Sequence, residues 1–176
     1  AMFEDPVEDT RCVLHCEMKN EGFKTASKVQ YVARVGNFID NGADYTGALQ
    51  ILKVILSYDY LWQNVRVKGG AYGCMSGFSR TGEGYFVSYR DPNLERTMEV
   101  YEGIADYLRN FTVSDRDMNK YIIGTMSNID QPMTPSAKGD RSFNLYMNKV
   151  SAETIKKERL QILEAGQEDI RKLADV

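Results

Sequence analysis

Residues 71–90, "AYGCMSGFSRTGEGYFVSYR", commit this chain to a sheet. Two runs of alternating character, "AYGCMSGFS" and "GYFVSYR", flank the short linker "RTGE", and Gly82 in that linker suits a tight reversal. An antiparallel hairpin is predicted. Along its first strand Tyr72, Cys74, Ser76 and Phe78 fall on one face, and Gly73, Met75 and Gly77 fall on the other. A face carrying two glycines leaves room for a close approach.

A lone hairpin is marginal in water, so further strands or helices must cover it. "CVLHCEM" reads as a short strand and "KVQYVARVGNF" as a stronger one, with Val29, Tyr31, Ala33 and Val35 alternating onto one face. Asp44 is placed to cap a helix through about Tyr58 or beyond, with Ala48, Leu49, Leu52, Ile55 and Leu56 as its apolar face. After the hairpin the periodicity is helical. Asp91-Pro92 opens a helix with Leu94, Met98, Tyr101, Ile104, Ala105 and Leu108 inward and Glu95, Glu99, Glu102 and Asp106 in solvent. Ser114 and Asp117 form a capping box before Met118, Tyr121, Ile122, Thr125, Met126 and Ile129. "DQPMTP" breaks the chain, Thr134-Pro135 restarts it, Ser151 caps another helix, and Gly166 ends that one. Strands followed by a run of helices give an α+β fold, an antiparallel sheet with helices packed on it.

Composition narrows the function classes. The 176 residues suit one domain spanning 1–176, and a net charge of −3 with both signs interspersed does not suit nucleic acid. No apolar run approaches a membrane span; "ALQILKVIL" is broken by Gln50 and Lys53. Three cysteines, an odd number without disulfide-framework spacing, suggest a reducing compartment, the cytoplasm in the simplest case. "CVLHC" suggests zinc, but on a strand His15 points away from Cys12 and Cys16, and a tetrahedral site wants four ligands. With one histidine in the chain, no zinc motif that needs two can exist here. No metal ligand is assigned.

"VRVKGGAYG" places Arg66 and Tyr72 around Gly69 and Gly70. Both side chains are directional donors that could face an oxygen. Spacing alone favours structural use, an arginine tied to a carboxylate and a tyrosine half buried. The glycines enter a strand rather than a helix and lack the phosphate-loop and dinucleotide spacings.

Three stretches carry a resemblance: "VQYVARVGNF", "LSYDYLWQNVRVKGGAYGCMSGFSRTGEGYFVSYRDPN" and "SNIDQPMTPSAKGD", with "EDIRKLADV" closing the chain. Over 22–176 the chain resembles the C-terminal part of presequence proteases, the oligopeptide-degrading branch of the pitrilysin and insulysin zinc metallopeptidases. The resemblance implies the processing-peptidase-like α+β domain fold, four such domains closing around a chamber. It implies that zinc is bound by another, N-terminal domain of the parent and that a peptide substrate lies between the two. It also implies that Arg66 and Tyr72 act in catalysis, holding substrate carbonyls and the tetrahedral centre built when a zinc-bound water attacks. Gly69 and Gly70 join them at the substrate by folding the backbone tightly between helix and strand.

Two departures qualify this expectation. The zinc domain is absent, and the chain ends in a helix where the family continues to a final strand, so it reads as a truncated C-terminal domain, with Ala1-Met2 as a cloning scar. On this expectation the chain is inactive alone. The alternative is a zinc-less scaffold or partner subunit of the same superfamily.

Overall fold

The structure, a computed structural model, describes Glu17 and residues 19–176. The strand expected at "CVLHCEM", with Cys12, His15 and Cys16, lies outside the described residues. Three antiparallel strands, β1 (Gln30–Asn37), β2 (Gly73–Phe78) and β3 (Glu83–Asp91), form a sheet in the order β1-β3-β2. The expected hairpin is there, with Gly73 opposite Tyr89, Phe78 opposite Gly84, and Gly82 at a φ of 96° in the turn.

The sheet turns the unexpected side of β1 inward. Val29, Tyr31, Ala33 and Val35 do alternate, but Tyr31 is 75% and Val35 63% exposed, whereas Val32 is buried. Val32 pairs with Ser88, and Ser88 with Cys74, so the inward row is a mixture of small and polar side chains. The apolar row Ala33–Val87–Met75 lies on the outer face. The inner face is covered by the helices, and there Ser76 and Ser88 are fully buried beside Phe78 and Phe86.

Helix α1 (Ala48–Ile55) is the centre of the core, with Leu49, Ile51 and Ile55 wholly buried. It is capped by Gly47, not Asp44; the Gly47 N–H donates to Oε1 of Gln161 at 2.9 Å, so the cap comes from a distant helix. It continues beyond Tyr58, as the sequence allows. It runs on through wider, π-helical turns at Leu56–Tyr60 and Trp62–Val67, burying Leu56, Leu61 and Val65 on the way. That extension carries Arg66 on its final turn.

The helix expected from Asp91 starts at Glu95 and is divided at Gly103 into α2 (Glu95–Glu102) and α3 (Ile104–Arg109). Leu94, expected inward, is exposed because it precedes the first turn, and Asp91 belongs to β3. Tyr101, Ile104 and Leu108 face the core as expected, and Glu95, Glu99, Glu102 and Asp106 face solvent. Helices α4 (Asp115–Ile129), α5 (Pro135–Met147), α6 (Ala152–Leu163) and α7 (Gln167–Arg171) follow, then a tight turn at Lys172–Asp175. Ser114, Thr134 and Ser151 cap α4, α5 and α6 through their side-chain oxygens, as the sequence predicts. Ile162 and Ile170 close the core against α1.

Candidate functional site

The turn between Arg66 and Tyr72 is dictated by its backbone. The extended helix leaves carbonyls without partners at its end, and the reversal supplies donors to them. Lys68 N–H donates to Gln63 O at 3.0 Å, Gly70 N–H to Arg66 O at 2.9 Å, and Ala71 N–H to Val65 O at 3.2 Å. A Cβ on Gly69 would collide with the Val65 carbonyl, and Gly70 has a φ of 81°, in the region that only glycine enters without strain. Both glycines are therefore required by the path of the chain from helix to strand.

Arg66 lies with its guanidinium 4.0 Å from the centroid of the Trp62 ring, one helical turn back, in a cation–π contact. Among the described residues no carboxylate pairs with it. Its charge reaches the start of β2, where it opposes the effect of burial on Cys74. Burial wins there and pushes the thiol up to about 11, so Cys74 stays protonated and is no nucleophile at neutral pH.

Tyr72 was expected on the face shared by Cys74, Ser76 and Phe78. It precedes β2 instead and is 61% exposed, while Ser76 is buried and Phe78 packs against the core. Its ring sits 5.5 Å, centroid to centroid, from Tyr89, and the Arg90 guanidinium lies 5.4 Å from its centre. Its hydroxyl has no partner among the described residues. The side chains of Arg66 and Tyr72 thus make aromatic and cation–π contacts and no hydrogen bond among the described residues. The glycine face beside them takes the close approach expected from the sequence: the rings of Tyr89 and Tyr85 from β3 lie over Gly73 and Gly77, where a Cβ would clash.

Sequence reasoning missed the corner that follows β3. Asp91 is fully buried, and its carboxylate accepts from Ser88 Oγ at 2.5 Å, Thr97 Oγ1 at 2.8 Å and the Asn93 N–H at 2.9 Å. A buried carboxylate is tolerated when hydrogen bonds replace its water. The signal was readable, since Asp-Pro-Asn is an Asx-turn sequence in which the aspartate accepts from the amide two residues on. Arg90, just before it, adopts a left-handed φ of 48°.

Among the described residues no three His, Cys, Asp or Glu side chains converge as a metal-ligand set, so zinc does not fit the residues of this site. No helix among them is long and apolar enough to cross a membrane. The model of the PreP C-terminal domain family matches residues 20–176. The chain belongs to that family. This PreP C-terminal domain is 49% identical over 156 residues to Protein HypA of Clostridium perfringens, covering 89% of this chain and 16% of that protein. It is 35% identical over 158 residues to Presequence protease 1, chloroplastic/mitochondrial, of Arabidopsis thaliana, covering 89% of this chain and 15% of the relative. The chain therefore spans about one sixth of the length of these relatives. A solved structure, a protease from Helicobacter pylori, shares the fold with a TM-score of 0.68 at 15% identity, over 86% of this chain and 39% of that one. The α+β architecture expected from the sequence is the one found.

Proposed function

We propose that this domain is the substrate-binding, non-zinc wall of a peptide-degrading metalloendopeptidase. Arg66 and Tyr72 are its donors to substrate carbonyls and to the oxygen that gains charge as the tetrahedral centre forms. The observation that supports this most directly is the presentation of both donors, uncommitted among the described residues, at the two ends of one glycine turn. Fixed donors of this kind act on the transition state because they need not reorganise as charge develops. Gly69 and Gly70 bring the two side chains to the substrate by reversing the backbone between them. The outer sheet face, with Tyr31, Val35, Met75 and Tyr85 exposed, offers an apolar wall along which a peptide lies. Zinc, which the resemblance assigns to another domain of the same polypeptide, supplies Lewis-acid chemistry there; the role of this chain is to bind and orient. The reading keeps the domain in a reducing, cytoplasmic setting in which Cys74 persists as a free thiol.

The test is made in a full-length protease carrying this domain. Tyr72→Phe and Arg66→Ala each lower kcat by on the order of 100- to 1,000-fold, with a smaller change in KM. Arg66→Lys recovers only part of the loss, because an ammonium keeps the charge without the planar fork. Turnover that stays normal in both variants, or falls only in proportion to lost folding, makes the pair structural. That outcome would favour a scaffold role.

A further inference from the structure

Gly69-Gly70 is the least constrained dipeptide a chain can place between two groups whose separation matters, since glycine gives up the most conformational freedom when ordered. The turn's own backbone hydrogen bonds are joined by contacts from outside it. The corner at the end of β3 touches it at three points. Asn93 Nδ2 donates to the Gly69 carbonyl at 2.5 Å. The Pro92 ring closes over Gly70, with Cγ 3.6 Å from where a Cβ would stand. The Arg90 carbonyl accepts from the Tyr72 N–H at 3.4 Å.

The corner is itself rigid. Pro92 has a fixed φ, and the buried Asp91 carboxylate ties Asn93 back to Ser88 of β3 and Thr97 of α2. A continuous line of hydrogen bonds thus runs from a buried carboxylate, through Asn93, to the middle of the turn that separates Arg66 from Tyr72. We propose that Asn93 is a positioning residue: by clamping the Gly69 carbonyl it fixes the distance and angle between the Arg66 and Tyr72 donors. This rests on the reading of that pair as substrate donors. In this role Asn93 acts through the turn.

Two substitutions separate the clamp from general stability. Asn93→Asp keeps the size of the side chain and the backbone donation to Asp91 but sets an acceptor against the Gly69 carbonyl; Asn93→Ala removes the side chain. Hydrogen exchange in the 176-residue chain reads the turn directly, because the amides of Gly70, Ala71 and Tyr72 are all hydrogen-bonded. Both variants speed exchange at these amides by about tenfold or more while α1 and β3 keep their protection, as a local opening requires. In the full-length protease kcat falls by about tenfold with KM within about twofold, a loss of the size expected from sub-ångström misplacement. In a Tyr72→Phe background the same substitution changes kcat by less than about twofold, since groups that act as a unit are not additive.

Unchanged exchange at the three amides overturns the clamp. A kcat loss that multiplies with that of Tyr72→Phe overturns the positioning role, as does unaltered kcat beside faster exchange. If Tyr72→Phe and Arg66→Ala leave turnover intact, the donor reading fails and the positioning role falls with it, while the exchange data still decide whether Asn93 holds the turn.

Discussion

Helices α4 and α5 begin alike and end differently. Each opens on a hydroxyl cap, Ser114 accepting from the Asp117 N–H and Thr134 from the Ala137 N–H, and they run for 15 and 13 residues. Yet α4 buries Met118 and Thr125 and packs Tyr121 and Met126 on the core, whereas α5 buries no residue at all. Phe143, Tyr146 and Met147 of α5 are 63%, 80% and 59% exposed. Caps and propensity decide that a segment is helical; only an apolar stripe that meets a partner makes it part of the cooperative fold. The packed body and the α5 arm therefore differ in what holds them, and that difference can be tested.

The largest contrast is between core truncation and arm truncation. Ile55→Ala, at a wholly buried position, costs about 2–5 kcal/mol through lost burial and the cavity left behind. Asp91→Ala strands the Ser88 and Thr97 hydroxyls in the interior and costs about 3 kcal/mol. Tyr146→Ala stays within about 0.5 kcal/mol, the range of exposed positions. Urea midpoints of the three variants check the ranking. A Tyr146→Ala loss as large as that of Ile55→Ala would mean that α5 belongs to the same cooperative unit as α1.

A smaller effect sharpens the picture of the body alone. Burial raises Cys74 from 9.0 to about 11, and raises Tyr101 and Tyr107 from 10.0 to about 12. All three hold their protons longer folded than unfolded, so unfolding releases protons at alkaline pH and stability falls with rising pH there. Their contribution is intact below about pH 9 and is lost as pH climbs through about 11 and 12. Urea midpoints between neutral pH and pH 11 should decline only beyond about 9, and Cys74→Ala should remove the earliest part of the decline. A midpoint that holds level to pH 11 would show that these groups are better hydrated than their packing implies.

How much of this was legible depends on whether the signal was local. The hairpin, the three hydroxyl caps and the buried row Tyr101, Ile104 and Leu108 were legible, because turn chemistry, capping and the helical period act within a few residues. The inward face of β1 was not. Alternation says that Tyr31, Ala33 and Val35 share a side, but which side is covered depends on where α1 and α2 lie, and here the more apolar side is the open one. The start of α1 was misplaced for a similar reason, since the Gly47 N–H is satisfied by Gln161, far along the chain. For the site, spacing drew attention to Arg66 and Tyr72 and could not separate structural from chemical use. Trp62 under Arg66, Tyr89 beside Tyr72, and Asn93 on Gly69 are tertiary contacts, invisible to periodicity.

The smallest effect is the most direct probe of the arm. Gly139 lies inside α5 with nothing within 4 Å of a Cβ built on it, and its φ is not left-handed. Alanine there meets no obstacle and reduces the freedom of the unfolded segment, a gain of about 0.5–1 kcal/mol in local helix stability. Whether that gain reaches the rest of the molecule depends on coupling. If α5 opens independently of the body, Gly139→Ala slows amide exchange within 135–147 by about two- to fivefold, the same energy expressed as a local opening constant, and leaves the urea midpoint of the body unchanged. If α5 unfolds only with α1 and the sheet, the midpoint rises and the slower exchange spreads to the core amides. The first result keeps arm and body apart; the second joins them and removes the contrast between α4 and α5.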